Sequence, residues 1–274
     1  MPTGEDGTAL VTGASGGIGE HYAARLAERG YDLVLVSRGA ERLDTVAARL
    51  RERTGVRVQT LAADLSRTEG VTSVGRRAAE DDVALVVNNA GVNGYGPFER
   101  VPPDVLHQVA ALNTLAPTML ARAALPGMIE RGRGAVVNVA SLLAFSADLP
   151  PGPLPHRAVY ASTKSYLVTF TRTLAAELHG TGVTVQVCCP GPTATDFHRV
   201  QGLEAGSPGT AEHGGEPRGM DPGDVVTASL AALERREVVC VPGLTDPSAL
   251  TGLAEAETRV RDLSGPGLAE RYRT

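Results

Sequence analysis

The sequence has no tryptophan, four phenylalanines, three cysteines and a single lysine. No stretch approaches the ~20 continuous apolar residues that a membrane-spanning helix requires, so no membrane partner is expected. Basic charge is not in excess: Lys and Arg total 26 against 31 Asp and Glu, for a formal net charge of -5. Nucleic-acid binding needs basic charge clustered on one face, so nucleic acid is not an expected partner. Cys188, Cys189 and Cys240 lie in apolar runs, with no CxxC and no histidine at ligand spacing. They read as small core residues of a reduced cytosol, and no metal is expected. The opening MPTGEDGTAL has neither the basic region nor the apolar stretch of a signal peptide, so a cytoplasmic location is expected.

What is present is a regular alternation. TALVT (8–12), DLVLV (32–36), VRVQTL (56–61), VALVV (83–87), GAVVNV (134–139), VTVQVCC (183–189) and EVVCV (237–241) have strand length and near-continuous apolarity, as strands buried on both faces of a parallel sheet do. Between them Ile18, Tyr22 and Leu26 repeat at helical spacing, as do Leu43, Val46 and Leu50, and long helices are expected around 104–131 and 158–179. The alternation predicts one α/β domain over 1–274, a doubly wound parallel sheet of about seven strands with helices on both faces. Two segments interrupt it. Residues 147–157, ADLPPGPLPHR, carry four prolines and read as an insertion, and 197–223 lacks periodicity and reads as a mobile substrate loop. Leu250, Leu253 and Val260 have helical spacing near the end of the chain.

Directly after the first strand runs Thr12-Gly13-Ala14-Ser15-Gly16-Gly17-Ile18-Gly19, with a helical pattern starting inside it. Glycine at a strand-to-helix turn permits positive φ and lets the backbone approach a pyrophosphate, while the helix N-terminus supplies amides. The second strand leads into Ser37 and Arg38, where an NAD site places an acid; a hydroxyl and a guanidinium suit a 2′-phosphate instead, which favours NADP(H).

The single lysine, Lys164, follows Tyr160 by four residues in YASTK, so the two side chains share a helix face. An ammonium beside a phenol stabilises the phenolate, so that Tyr160 could act as general acid in reduction and general base in oxidation. Upstream, Ser141 in VNVAS ends the fifth strand, on the edge of the sheet where ligands bind, and its hydroxyl could hold a substrate oxygen.

Together these motifs resemble the short-chain dehydrogenase/reductase family, over about Thr8 to Val241. Its TGxxxGxG motif appears as Thr12 to Gly19, its NNAG motif as Asn88-Asn89-Ala90-Gly91, and its proline-glycine motif as Pro190-Gly191 followed by Thr193 and Thr195. The resemblance implies the Rossmann fold and an Asn-Ser-Tyr-Lys tetrad of Asn113, Ser141, Tyr160 and Lys164. In it Ser141 orients a carbonyl, Tyr160 transfers the proton, Lys164 binds the nicotinamide ribose and tunes Tyr160, and Asn113 holds a water in a proton relay. Cofactor contacts are expected from Gly13, Ser15, Gly17, Ile18 and Gly19, from Ser37 and Arg38, from Asp64 and Leu65 at the adenine, from Asn89, Ala90 and Gly91, and from Gly191 to Thr195. A homodimer or homotetramer through the helices near 104–131 and 158–179 is likewise implied.

One departure stands out. In that family about a dozen residues separate the serine and tyrosine; here 18 do, and the excess falls in the proline-rich insertion. Tyr95, Phe98, Phe145, His156 and Phe197 fall on the loops around these motifs and outline an apolar, partly aromatic pocket for a fairly bulky ketone or alcohol. His198 joins the same loops. The expected activity is NADPH-dependent interconversion of a ketone or aldehyde and an alcohol. A net isomerisation or cyclisation on the same fold, or a non-catalytic NADP-binding regulator, are the competing classes. The Arg, Ala and Gly usage suggests a GC-rich bacterial genome.

Overall fold

A computed structural model describes residues 7–152, 154–195, 197 and 219–273. Seven parallel strands form one sheet in the order β3-β2-β1-β4-β5-β6-β7. They are β1 (Thr8–Thr12), β2 (Asp32–Ser37), β3 (Val58–Ala62), β4 (Val83–Asn88), β5 (Gly134–Val139), β6 (Val183–Cys188) and β7 (Val239–Cys240). β1, β4 and β5 are buried along their whole length, which accounts for their unbroken apolar runs. β3 is an edge strand in which only Val58 is buried. β7 is shorter than the five-residue run EVVCV suggests: only Val239 and Cys240 pair, and they pair with β6 alone.

Side chains alternate across the sheet. Ala9, Val11, Leu33 and Leu35 face a core shared with α1 (Gly17–Glu28), α2 (Ala40–Thr54) and α7 (Pro222–Glu234). Leu10, Val34 and Val36 face the opposite core, under α3 (Thr68–Ala78), α4 (Pro103–Ala110), α5 (Ala116–Glu130) and α6 (Ala158–Glu177). The single helix expected at 104–131 is instead two, joined by a π-helical turn over Ala111–Leu115. A π turn inserts one residue into the helical ladder, which a 3.6-residue periodicity does not reveal.

Strand order reverses between β1 and β4, so the loops leaving their C-terminal ends diverge and open a crevice. The chain divides into two compact units, 1–242 and 243–274, whereas the sequence reading draws one domain over 1–274. The second unit is built on α8 (Ser248–Asp262). Of the expected substrate loop 197–223, residues 198–218 lie outside the described residues, His198 among them. No helix among the described residues is long and apolar enough to cross a membrane.

Candidate active site

The turn after β1 is tied to the loop after β4. Thr12 Oγ1 accepts from the backbone amides of Asn89 (2.9 Å) and Ala90 (3.0 Å), and the Asn89 side-chain amide donates to the carbonyls of Thr12 (3.0 Å) and Gly13 (3.3 Å). These bonds draw the two loops so close that three glycines stand where a side chain has no place. A Cβ on Gly19 would collide with the Gly13 carbonyl, and one on Gly13 (φ 65°) would press on the Asn89 amide. Gly17 (φ 55°) lies against Thr195 of the loop after β6, where its Cβ would meet the Thr195 methyl at 3.2 Å. Gly16 differs: a Cβ there would meet nothing within 4 Å, so the first turn of α1 presents bare backbone to open space. Ser15 and Ile18 flank it and are half-buried.

At the end of β2, Ser37 is half-buried and Arg38 exposed. Asp64, after β3, accepts from the Ser66 amide (2.9 Å) and hydroxyl (2.7 Å). Burial raises its pKa, but the Ser66 hydrogen bonds and then the charges of Arg38 and Arg67 outweigh this, leaving the carboxyl below its usual value. Arg38 therefore lies within electrostatic reach of Asp64, and buried Leu65 follows it.

Tyr160 and Lys164 lie on the buried face of α6. Ser141 stands just past the end of β5, near enough to the Tyr160 phenol to oppose the rise of its pKa. Ser141 Oγ also accepts from the Leu143 amide at 3.2 Å. Lys164 Nζ donates to the Val139 carbonyl at 2.9 Å and sits 5.6 Å from the centre of the Tyr160 ring. Asn113, carried by the π turn, is wholly buried. Its Nδ2 donates to the Val92 carbonyl (2.8 Å) and the Thr163 hydroxyl (3.1 Å), and its Oδ1 accepts from the Val92 amide (3.0 Å). Gly91 makes this approach possible, since a Cβ there would stand 3.3 Å from Asn113 Oδ1 and 3.5 Å from Lys164 Nζ. Four side chains, from the π turn, α6 and the end of β5, thus come together at the C-terminal end of the sheet.

The electrostatics correct one expectation. Burial, with Tyr95 adding to it and Ser141 opposing, pushes the Tyr160 phenol above its usual range, whereas the ammonium four residues on is expected to lower it. Burial also pulls Lys164 down to about 8, against the Cys189 thiol, which raises it. Both groups have lost water, and desolvation disfavours the charged form of each.

A family model described as short chain dehydrogenase matches residues 7–204. The chain belongs to the short-chain dehydrogenase family. The chain is 33% identical over 197 residues to the very-long-chain 3-oxoacyl-CoA reductase of Anas platyrhynchos, covering 70% of this chain and 61% of that protein. The chain thus spans about three fifths of the length of such curated relatives. It is also 35% identical over 192 residues to the human inactive hydroxysteroid dehydrogenase-like protein 1, covering 69% and 56%. Among solved structures it superimposes on a short-chain dehydrogenase from Sphingobium yanoikuyae in complex with NADPH, with TM-score 0.87 and 35% identity over 97% of this chain and 100% of that one. The bulky-bulky ketone specific alcohol dehydrogenase from Comamonas testosteroni superimposes with TM-score 0.85 and 31% identity, covering 98% and 99%.

Around Asn113, Ser141, Tyr160 and Lys164 the aromatic side chains divide. Tyr95 packs on Tyr160 with ring centroids 5.2 Å apart and planes at 72°, and Phe197 lies 6.3 Å from Tyr160 on centroids. Phe145 packs toward a small core of Ala140, Leu167, Val168, Val187 and Cys189. Phe98 is 63% exposed and His156 is exposed, so neither packs onto Tyr160 as Tyr95 does. The loop after β6 is held by its own hydrogen bonds: Thr193 Oγ1 donates to the Gly191 carbonyl at 3.0 Å and the Thr195 amide to the Thr193 carbonyl at 2.9 Å, while the Pro190 carbonyl accepts from Leu142 at 2.8 Å.

Sequence reasoning missed Thr163 and Arg157. Thr163 lies three residues after Tyr160 and receives a hydrogen bond from Asn113; its place in YASTK was the available signal. Arg157, one of 25 arginines, carried no signal in the sequence, and its burial is what marks it.

Proposed function

We propose that the protein is an NADP(H)-dependent oxidoreductase that interconverts a ketone or aldehyde and an alcohol on a fairly bulky small molecule. The observation that carries this reading is the convergence of Asn113, Ser141, Tyr160 and Lys164, together with a glycine turn whose Gly16 leaves its backbone open. That open turn, at the N-terminus of a 12-residue helix, fits a pyrophosphate by its amides and dipole. Gly13, Ser15, Gly17, Ile18 and Gly19 would hold the pyrophosphate, and Ser37 and Arg38 the 2′-phosphate. Asp64 and Leu65 would meet the adenine, Asn89 to Gly91 the adenosine ribose side, Lys164 the nicotinamide ribose, and Pro190, Gly191, Thr193 and Thr195 the carboxamide. When bound, the cofactor supplies or accepts the hydride.

The chain's own part is proton transfer and positioning. The Tyr160 phenol, held neutral by burial, is a proton donor across the physiological range, as reduction of a carbonyl requires. Ser141 lies close enough to act on that phenol and so stands where it can hold the same substrate oxygen. Asn113 clamps the backbone at Val92 on one side and Thr163 on the other, which fixes the β4 loop against α6. Tyr95 and Phe197 wall the approach to Tyr160. Likeness to the bulky-bulky ketone specific enzyme and to the NADPH complex supports the substrate size and the cofactor. In assembly, α5 and α6 are proposed to pair across a two-fold axis in a homodimer or homotetramer.

The test mixes purified protein with NADPH or NADH and a panel of bulky ketones and follows loss of nicotinamide absorbance. NADPH is expected to support faster turnover at lower KM, and Tyr160→Phe to lower kcat by about 10²–10⁴-fold. Equal turnover by wild type and Tyr160→Phe contradicts the mechanism, and tighter use of NADH contradicts the role of Arg38.

A further inference from the structure

The proline-rich insertion is not a free flap. Arg157, its last residue, is buried and makes four hydrogen bonds, two to Ser146 just before the segment and two within it. Its Nε donates to Ser146 Oγ (2.7 Å), one terminal nitrogen to the carbonyls of Ser146 (2.7 Å) and Leu149 (2.6 Å), and the other to the Pro155 carbonyl (3.2 Å). A planar guanidinium with five donors can staple three turns of backbone at once, which an ammonium cannot. Ser146 is in turn anchored, its hydroxyl donating to the Leu143 carbonyl at 2.7 Å.

The staple reaches the catalytic tyrosine by two routes. Along the chain, the Arg157 carbonyl accepts from Ala161 at 2.7 Å and so opens the helix that carries Tyr160. Across space, the His156 carbonyl accepts from the Gly96 amide at 3.0 Å, tying the insertion to the residue after Tyr95. The Arg157 charge also acts on the Tyr95 phenol, partly offsetting the burial that pushes that phenol up to about 12. Tyr95 is the ring packed at 5.2 Å on Tyr160. Phe197 lies 6.3 Å from the Tyr160 ring on centroids, a second aromatic neighbour of the phenol.

We infer that Tyr95 is a specificity-determining residue, a wall that sorts the two substituents of the carbonyl by size beside Tyr160, and that Arg157 is the positioning residue that braces this wall through the insertion. The inference rests on the proposed carbonyl chemistry and adds to it the residues that choose among ketones. The insertion thereby acts from behind the pocket, as a strut, rather than over its mouth.

The experiment uses the full chain with NADPH and two ketones of one series, an aryl methyl ketone and the aryl butyl ketone. The readouts are kcat/KM for each and the enantiomer ratio of each alcohol. Tyr95→Ala is expected to raise the butyl-to-methyl ratio of kcat/KM by on the order of 10-fold and to erode the enantiomer ratio, because a three-carbon difference is then no longer read by the ring. Tyr95→Phe, which keeps the ring, is expected to keep the wild-type ratio. Arg157→Met is expected to shift the ratio in the same direction as Tyr95→Ala by a smaller factor, and to add nothing to it in the double variant, since both act through one wall. A fall in rate for both ketones with an unchanged ratio in Tyr95→Ala overturns the inference, as does full additivity in the double variant. Should Arg157→Met not fold, the Tyr95 pair decides alone. Turnover of neither ketone by the wild type overturns the functional reading and this inference with it; turnover with an unmoved ratio overturns this inference only.

Discussion

Lys164 is a cation placed where water is excluded, and that placement has a sign that can be measured. Its folded pKa of about 8 lies below its usual 10.5, so between those values the unfolded chain binds more protons than the folded one. Stability from this group therefore rises with pH from about 8 to 10.5, and below 8 the burial penalty is complete. Because it is the only lysine, uniform labelling with ¹³C-lysine marks Lys164 alone. Its Cε resonance in the cofactor-free protein is expected to titrate near 8, and a midpoint at 10.5 or above contradicts the burial argument. Lys164→Met removes the buried charge. It is expected to raise the denaturant midpoint at pH 7 by the equivalent of about 1–3 kcal/mol while abolishing turnover, the Val139 carbonyl left without its donor offsetting part of the gain. The YxxxK spacing made the shared helix face legible. The upward shift of the phenol was not legible, because desolvation depends on every element packed over the pair.

Elements position this chemistry by close backbone approach, and two neighbouring glycines in one turn are expected to respond oppositely to the same methyl group. Gly16 has no heavy atom within 4 Å of where a Cβ would stand, so Gly16→Ala is expected to leave the melting temperature nearly unchanged and to weaken NADPH binding, read by titration calorimetry. Gly19 abuts the Gly13 carbonyl and the Asn89 amide, so Gly19→Ala is expected to destabilise the fold by about 1–3 kcal/mol, as overpacking does. Unchanged affinity in Gly16→Ala counts against the pyrophosphate assignment. The TGxxxGxG pattern announced a phosphate-binding turn but could not say which glycine serves the ligand and which serves packing, because that depends on where the β4 loop lies. Asn113 is a similar case. The resemblance selected it, yet the π turn that buries it and its double bond to Val92 has no periodic signature.

Over the whole molecule, the same helices that carry the tetrad turn apolar side chains outward. Leu115 is 60% and Met119 54% exposed, and beside them Tyr166 stacks on Phe170 and shares a hydrogen bond with Thr118. A homo-oligomer through this face is expected by light scattering at micromolar concentration, with Met119→Glu shifting it toward monomer; a monomeric wild type contradicts the proposed assembly. Strand and helix alternation, the central buried strands, the glycine turn and the Tyr-Lys pair were all readable in the sequence, because each is a local pattern of burial or backbone freedom repeated within a few residues. The order of strands was not, nor the shortening of β7, the split of the helix at 111–115, or the buried staple of Arg157. The strand order and the length of β7 depend on contacts between residues far apart in the chain, the π turn and the staple on local geometry that residue types do not announce, and one arginine among 25 becomes distinct only when folding takes it out of water.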